Sequence, residues 1–324
     1  MSTQIGRLDV MSTRLPRRAL FAIGAALFFW FLATAPAGAS YFQDGELIEL
    51  TIFQAIVLGL VEGLTEYLPV SSTGHLLVTN ELLGLNDTQA SEDAINTYAI
   101  CIQLGAIIAV FFLYWERIRQ MIDGLLGRSE EGRQILIAVI IAFTFTAVIG
   151  LSLDDIVKEN LFGVAPIAGA WIVGGLVILG LSRTGWFDKT TKQLGDLTWQ
   201  NAVVIGVIQA VALWPGVSRS MITIIAAVLV GLSLRAAVEF SFLLGLITLS
   251  AATAFEGLQG GEELVDTFGI GTPAIGLVVA FIAAIASVKW MVSWLNDKGF
   301  EVFGWYRIAI GILAFVLLAT NTIG

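Results

Sequence analysis

Two short segments hold most of the side chains in this chain that could do chemistry. The first reads Glu62-Gly63-Leu64-Thr65-Glu66-Tyr67-Leu68-Pro69-Val70-Ser71-Ser72-Thr73-Gly74-His75, and the second Trp214-Pro215-Gly216-Val217-Ser218-Arg219-Ser220-Met221-Ile222-Thr223. Glu62 and Glu66 are four residues apart and share a helix face. Two carboxylates so placed suit a hard metal ion or a general base. In both segments a proline break precedes a hydroxyl-rich helix start, with Ser71 or Ser72 at the first cap. Ser and Thr oxygens satisfy the free N–H groups there, and the positive helix end attracts anions. Arg219 adds a fork of donors matched to phosphate oxygens. Arg219 with Ser71, Ser72, Thr73, His75, Ser218, Ser220 and Thr223 is expected to form an anion cage, and Glu62 and Glu66 beside it point to phosphate chemistry.

These segments must be held by a membrane protein. Of the 324 residues, 57% are apolar and 13% charged, about half the charge of a soluble domain, and the mean hydropathy is +0.86. A soluble enzyme is excluded, and a net charge of -9 speaks against nucleic acid as a partner. The single Cys101 and single His75 cannot make a disulfide framework or a closed zinc site.

Apolar runs near 17–35, 94–114, 135–153, 163–182, 235–256, 273–295 and 304–322 are each long enough to cross a ~30 Å hydrocarbon core. The stretches 47–85 and 198–231 are broken at Pro69 and at Pro215-Gly216 and read as re-entrant helical hairpins. Basic residues collect in cytoplasmic loops. With the N-terminus inside and neither hairpin crossing, 15 of the 17 basic residues fall inside, Arg307 among them; Lys158 lies outside and Arg219 at a tip. Arg17-Arg18, the apolar run Ala19 to Ala33 and Ala37-Gly38-Ala39 read as a signal peptide or an extra anchor helix. Glu239, four residues after Arg235, is expected in an ordinary ion pair, and Gln209 in hydrogen bonds behind the site.

Sliding the chain by 147 residues superposes the hairpins without a gap. Gly59 meets Gly206, Glu62 meets Gln209, Ser71 meets Ser218, and Gly84-Leu85 meets Gly231-Leu232. Three spans follow each hairpin, so the second hairpin enters from the opposite face. The expected fold is an all-α polytopic membrane protein with an inverted-topology repeat. It has six core transmembrane helices, two re-entrant hairpins and an extra N-terminal hydrophobic segment. Residues 1–45 form the extension and 46–324 one domain, with repeats near 47–182 and 197–322. In such folds the substrate site lies at the repeat interface near the midplane. Three unpaired charges at that depth would cost about 8–10 kcal/mol. A salt bridge between the tips would offset much of this, yet would not account for the hydroxyls crowded beside it.

The EGLTEYLPVSSTGH and PGVSRSMIT segments resemble the two signature motifs of the bacitracin-resistance family of undecaprenyl-diphosphate phosphatases, in order and at similar separation. The resemblance covers about residues 47–324. It implies hydrolysis of undecaprenyl diphosphate to the lipid monophosphate that carries cell-wall precursors. It also implies a divalent cation, Mg2+ or Ca2+, and a bacterial inner membrane location with the site open to the periplasm. The family's functional residues map onto Glu62, Glu66, Ser71, Ser72, His75, Ser218, Arg219 and Thr223. Met221 stands where many relatives carry glycine. The partners expected are undecaprenyl diphosphate and membrane lipids; the sequence is also compatible with a homodimer.

Three routes are open for the reaction. Ser72 is the first candidate nucleophile, with His75 as acid or base, Glu66 beside it, Arg219 on the diphosphate and a cation on Glu62 and Glu66. A phospho-histidine route and attack by water activated by a carboxylate compete with it. A transporter or flippase of a polyprenyl phosphate is the rival class, because inverted repeats with broken helices are a common transporter plan. Phosphatidic-acid-type lipid phosphatases use two histidines and are set aside.

Overall fold

A computed structural model of the chain describes residues 39–43, 46–85, 89–268 and 270–323. The apolar segment Ala19 to Ala33, read as signal peptide or anchor, lies outside the described residues. Two short antiparallel strands come first, β1 (Ala39–Gln43) and β2 (Glu46–Leu50). Helices follow: α1 (Ile52–Thr65), α2 (Ser72–Leu82), α3 (Gln89–Leu113), α4 (Trp115–Leu125), α5 (Glu130–Leu161) and α6 (Val164–Arg183). The second half holds α7 (Trp186–Lys189), α8 (Trp199–Gln209), α9 (Arg219–Leu229), α10 (Leu234–Phe268), α11 (Gly271–Asp297) and α12 (Glu301–Ala319). The chain is a multi-pass membrane protein. Six helical segments among the described residues are long and apolar enough to span, within α3, α5, α6, α10, α11 and α12.

Pairs α1–α2 and α8–α9 are the two hairpins, and their local chemistry repeats. Thr51 with Gln54 caps α1 by reciprocal bonds, and Thr198 with Asn201 does the same for α8. Each such box satisfies N–H groups that a helix start leaves unpaired. At the far ends, Leu85 N donates to Asn80 O and Leu232 N to Ala227 O, with Gly84 and Gly231 at positive φ. This is the same helix stop twice, and glycine permits it.

Each hairpin packs into the other half: α1 lies on α11 and α8 on α5, while α3 packs on α10 and α6 on α12. The approach is close because glycine lines it. A Cβ on Gly59 would lie 2.5 Å from the Gly276 carbonyl, and one on Gly206 would lie 2.4 Å from that of Ala142. Small residues let helices meet where lipid gives no hydrophobic drive. Glu239 of α10 engages Arg117 of α4 at 2.5 Å, a partner that i,i+4 spacing does not foresee.

Candidate active site

Both hairpins break where their prolines stand. The first turns through Glu66–Val70 and restarts at α2; the second passes from a 3-10 turn at Ala210–Leu213 through Trp214–Ser218 to α9. The tips meet. Ser220 Oγ donates to the Leu68 carbonyl at 2.7 Å, and the Arg219 guanidinium pairs with Glu66 Oε1. Ser72 Oγ donates to the other Glu66 oxygen, and Arg219 Nη1 donates to Thr248 Oγ1 at 3.2 Å. One carboxylate therefore holds both a hydroxyl and a guanidinium.

A cavity of about 250 Å³ opens over these groups. From the tips it is lined by Glu66, Ser71, Ser72, Thr73, Ser218 and Arg219; Gln103, Thr146, Gln209 and Thr248 add polar walls from the spans and α8. Ser71 makes no side-chain bond to the start of α2. The first N–H groups of that helix are thus left for an anion, as the dipole favours. At the start of α9, Ser218 Oγ accepts from Met221 N at 3.3 Å.

Other expected residues stand behind the cavity wall. Thr223 is fully buried; it accepts from Gln209 Nε2 at 2.8 Å and donates to the Arg219 carbonyl at 2.8 Å. Thr146 donates to Gln209 Oε1 at 2.8 Å. This chain of bonds fixes the first turn of α9, and with it Arg219. Ser220 joins the tips through Leu68 and lies 3.0 Å from the Ser218 hydroxyl.

His75 corrects one expectation. Its Nδ1 donates to the Ser71 carbonyl at 2.7 Å, which leaves Nε2 to accept from the Tyr306 hydroxyl at 2.8 Å in the neutral ring. The ring packs on Trp171 and stacks on Tyr306. It lines a second, apolar cavity of about 530 Å³ with Trp290 and Phe303, away from Ser72. The carboxylate in contact with Ser72 is that of Glu66. The i+3 spacing sets His75 one turn on from Ser72 along α2, and the bonds to Ser71 and Tyr306 with the packing on Trp171 hold its ring toward the second cavity.

Glu62 sits beside Glu66 at 1% exposure, and its Oε2 has no hydrogen-bond partner. A buried carboxylate oxygen is rarely left so, and two adjoining carboxylates fit a hard cation. Among the described residues no three His, Cys, Asp or Glu side chains cluster. Such an ion would therefore complete its shell with phosphate or water oxygens. The sequence reading passed over Arg307, Thr146, Thr248 and Tyr306. For Arg307 a signal existed: a lone charge inside an apolar run.

Known proteins resemble this chain along most of its length. A family model described as bacitracin resistance protein BacA matches residues 55–313. The chain is 42% identical over 268 residues to the undecaprenyl-diphosphatase of Sorangium cellulosum, covering 82% of this chain and 86% of the relative. It is 41% identical over 269 residues to undecaprenyl-diphosphatase 2 of Rhodospirillum rubrum, covering 83% and 94%. To the undecaprenyl-diphosphatase of Variovorax paradoxus it is 37% identical over 272 residues, covering 84% and 97%. With its two hairpin tips joined around one polar cavity, and with relatives matched along most of their length, the chain belongs to the bacitracin resistance protein BacA family.

Proposed function

We propose that this protein hydrolyses undecaprenyl diphosphate to undecaprenyl phosphate and inorganic phosphate in the bacterial inner membrane, with its cavity open to the periplasm. The observation that carries the reading is the Ser72–Glu66–Arg219 arrangement at the meeting of the tips. The names of the relatives support the substrate. The charge pattern supports the orientation of the hairpins, the first entering from the outside and the second from the inside; the periplasmic opening follows the family resemblance.

Arg219 and the uncapped start of α2 bind the terminal phosphoryl group, supplying the positioning and charge stabilisation on which phosphoryl transfer depends. Ser72 Oγ attacks the terminal phosphorus while Glu66 takes its proton. The bond from that phosphorus to the bridging oxygen breaks, and undecaprenyl phosphate departs. Water then attacks the phosphoserine, with Glu66 relaying the proton, and phosphate and free Ser72 are restored. Glu62 and Glu66 would hold a divalent cation, Mg2+ or Ca2+, which when bound neutralises diphosphate charge.

The test is phosphate release from undecaprenyl diphosphate by the purified protein in detergent, where the sides of a membrane no longer exist. Release that is lost in Arg219→Ala supports the enzyme. Binding without turnover would assign the chain to the carriers instead.

A further inference from the structure

Arg307 is 0% exposed on α12. The charge pattern placed it with the inside loops, but its guanidinium reaches the hairpin tips. Nη1 donates to the Pro69 carbonyl at 3.2 Å, and Nη2 to the Gly216 carbonyl at 2.8 Å and the Ala170 carbonyl at 3.0 Å. Pro69 and Gly216 are equivalent under the 147-residue shift. Each lies two residues before the positive-φ serine of its own tip. One guanidinium thus holds the same carbonyl of both repeats, and its third bond ties them to α6. Among the described residues no carboxylate pairs with it, and its Nε has no partner. Gly174 leaves the room it needs, since a Cβ there would lie 2.5 Å from Nη2.

The geometry points to Arg307 as a positioning residue, one that clamps the two tips to each other and so sets the spacing of Glu66 and Ser72 against Arg219 without touching substrate. Only a planar fork of donors reaches carbonyls on three segments at once. Lysine offers a point charge on a flexible stem, and methionine offers no donor. Carbonyls left unpaired at membrane depth would seek other partners, and the tips would separate. For its activity readout the proposal rests on the phosphatase reading; for its distance readout it does not.

The experiment uses the full chain in detergent with Cys101→Ser. Spin labels go at Leu60→Cys and Val207→Cys, equivalent and exposed positions on the two hairpins. The parent should give one narrow distance distribution. Arg307→Met should broaden it and add a longer population, with kcat lowered at least tenfold; Arg307→Lys should restore part of both. Gly174→Ala, which crowds the guanidinium and keeps the charge, should broaden the distribution less, and it decides the matter if Arg307→Met does not fold. Parent-like distributions in the folded variants would overturn the clamp, whatever their turnover. A parent that releases no phosphate, yet shows the Arg307 effect on distance, would fault the phosphatase reading alone.

Discussion

Ser71 and Ser218, 147 residues apart, take nearly the same unusual backbone conformation: φ 72° and ψ 101° in one, φ 73° and ψ 114° in the other. Side-chain-bearing residues seldom enter this region, and holding one there costs on the order of 1–3 kcal/mol. The inverted repeat has kept that conformation at both tips, where it turns the following helix start toward the cavity. Ser71→Gly should remove the strain while leaving the chain path intact, raising thermal stability by about 1 kcal/mol. Ser71→Val should lower it. Unfolding midpoints in detergent check both, and a Ser71→Gly protein less stable than its parent would contradict the strain.

Glu66 accepts from Ser72 and pairs with Arg219 at once. Glu66→Gln keeps its volume but cannot take a proton, and it weakens the hold on the guanidinium. Phosphate release at saturating undecaprenyl diphosphate should fall about 100-fold or more, with a much smaller change in KM. Near-parent turnover would remove Glu66 as the base.

Ser72 and His75 should separate by stability as well as by rate. Ser72 Oγ makes one bond toward the cavity, whereas the His75 ring bonds the Ser71 carbonyl and Tyr306 and packs on Trp171. Ser72→Ala should abolish turnover and leave the unfolding midpoint within about 0.5 kcal/mol of the parent. His75→Ala should lower stability by about 2 kcal/mol, because it opens a packed site and orphans two polar partners. A His75→Ala protein of full stability and no activity would return the histidine to the chemistry.

The spans, both breaks and the repeat were legible because membrane burial writes itself in runs of apolar residues and in the placement of charge. The pairing of Glu66 with Arg219 was foreseeable as well, since two charges at that depth need each other. What the one-dimensional pattern does not carry is side-chain direction after a break. His75 was placed by helical spacing and motif position, and its contacts with Trp171 and Tyr306 turn the ring to a different cavity. Arg307 and Thr248 join the tips from spans distant in sequence. Glu239 engages Arg117, a residue of α4. Such contacts are decided by tertiary packing, and local spacing is silent about them.

Glu62 offers a direct test of the cation. Its buried Oε2 has no hydrogen-bond partner beside Glu66, so Glu62→Gln should fold as well as the parent. It should raise the Mg2+ or Ca2+ concentration for half-maximal phosphate release roughly tenfold or more. Chelator should silence the parent, and added cation should restore it. Full activity of the parent in chelator would dismiss the ion.

Glycines at the hairpin–span contacts should tell apart packing from mere flexibility. A Cβ on Gly59 or Gly206 would press on a backbone carbonyl of the opposite half, at 2.5 and 2.4 Å, whereas Gly169 and Gly180 of α6 have nothing within 4 Å. Backbone cannot step aside as a side chain can. Gly206→Ala and Gly59→Ala should therefore destabilise by about 1–3 kcal/mol through overpacking. Gly169→Ala or Gly180→Ala should stabilise by about 0.5–1 kcal/mol, since alanine has less freedom to lose in a helix. Unfolding midpoints of the four variants would move in opposite directions. If all four moved together, the close approach would not be what holds each hairpin in the other half.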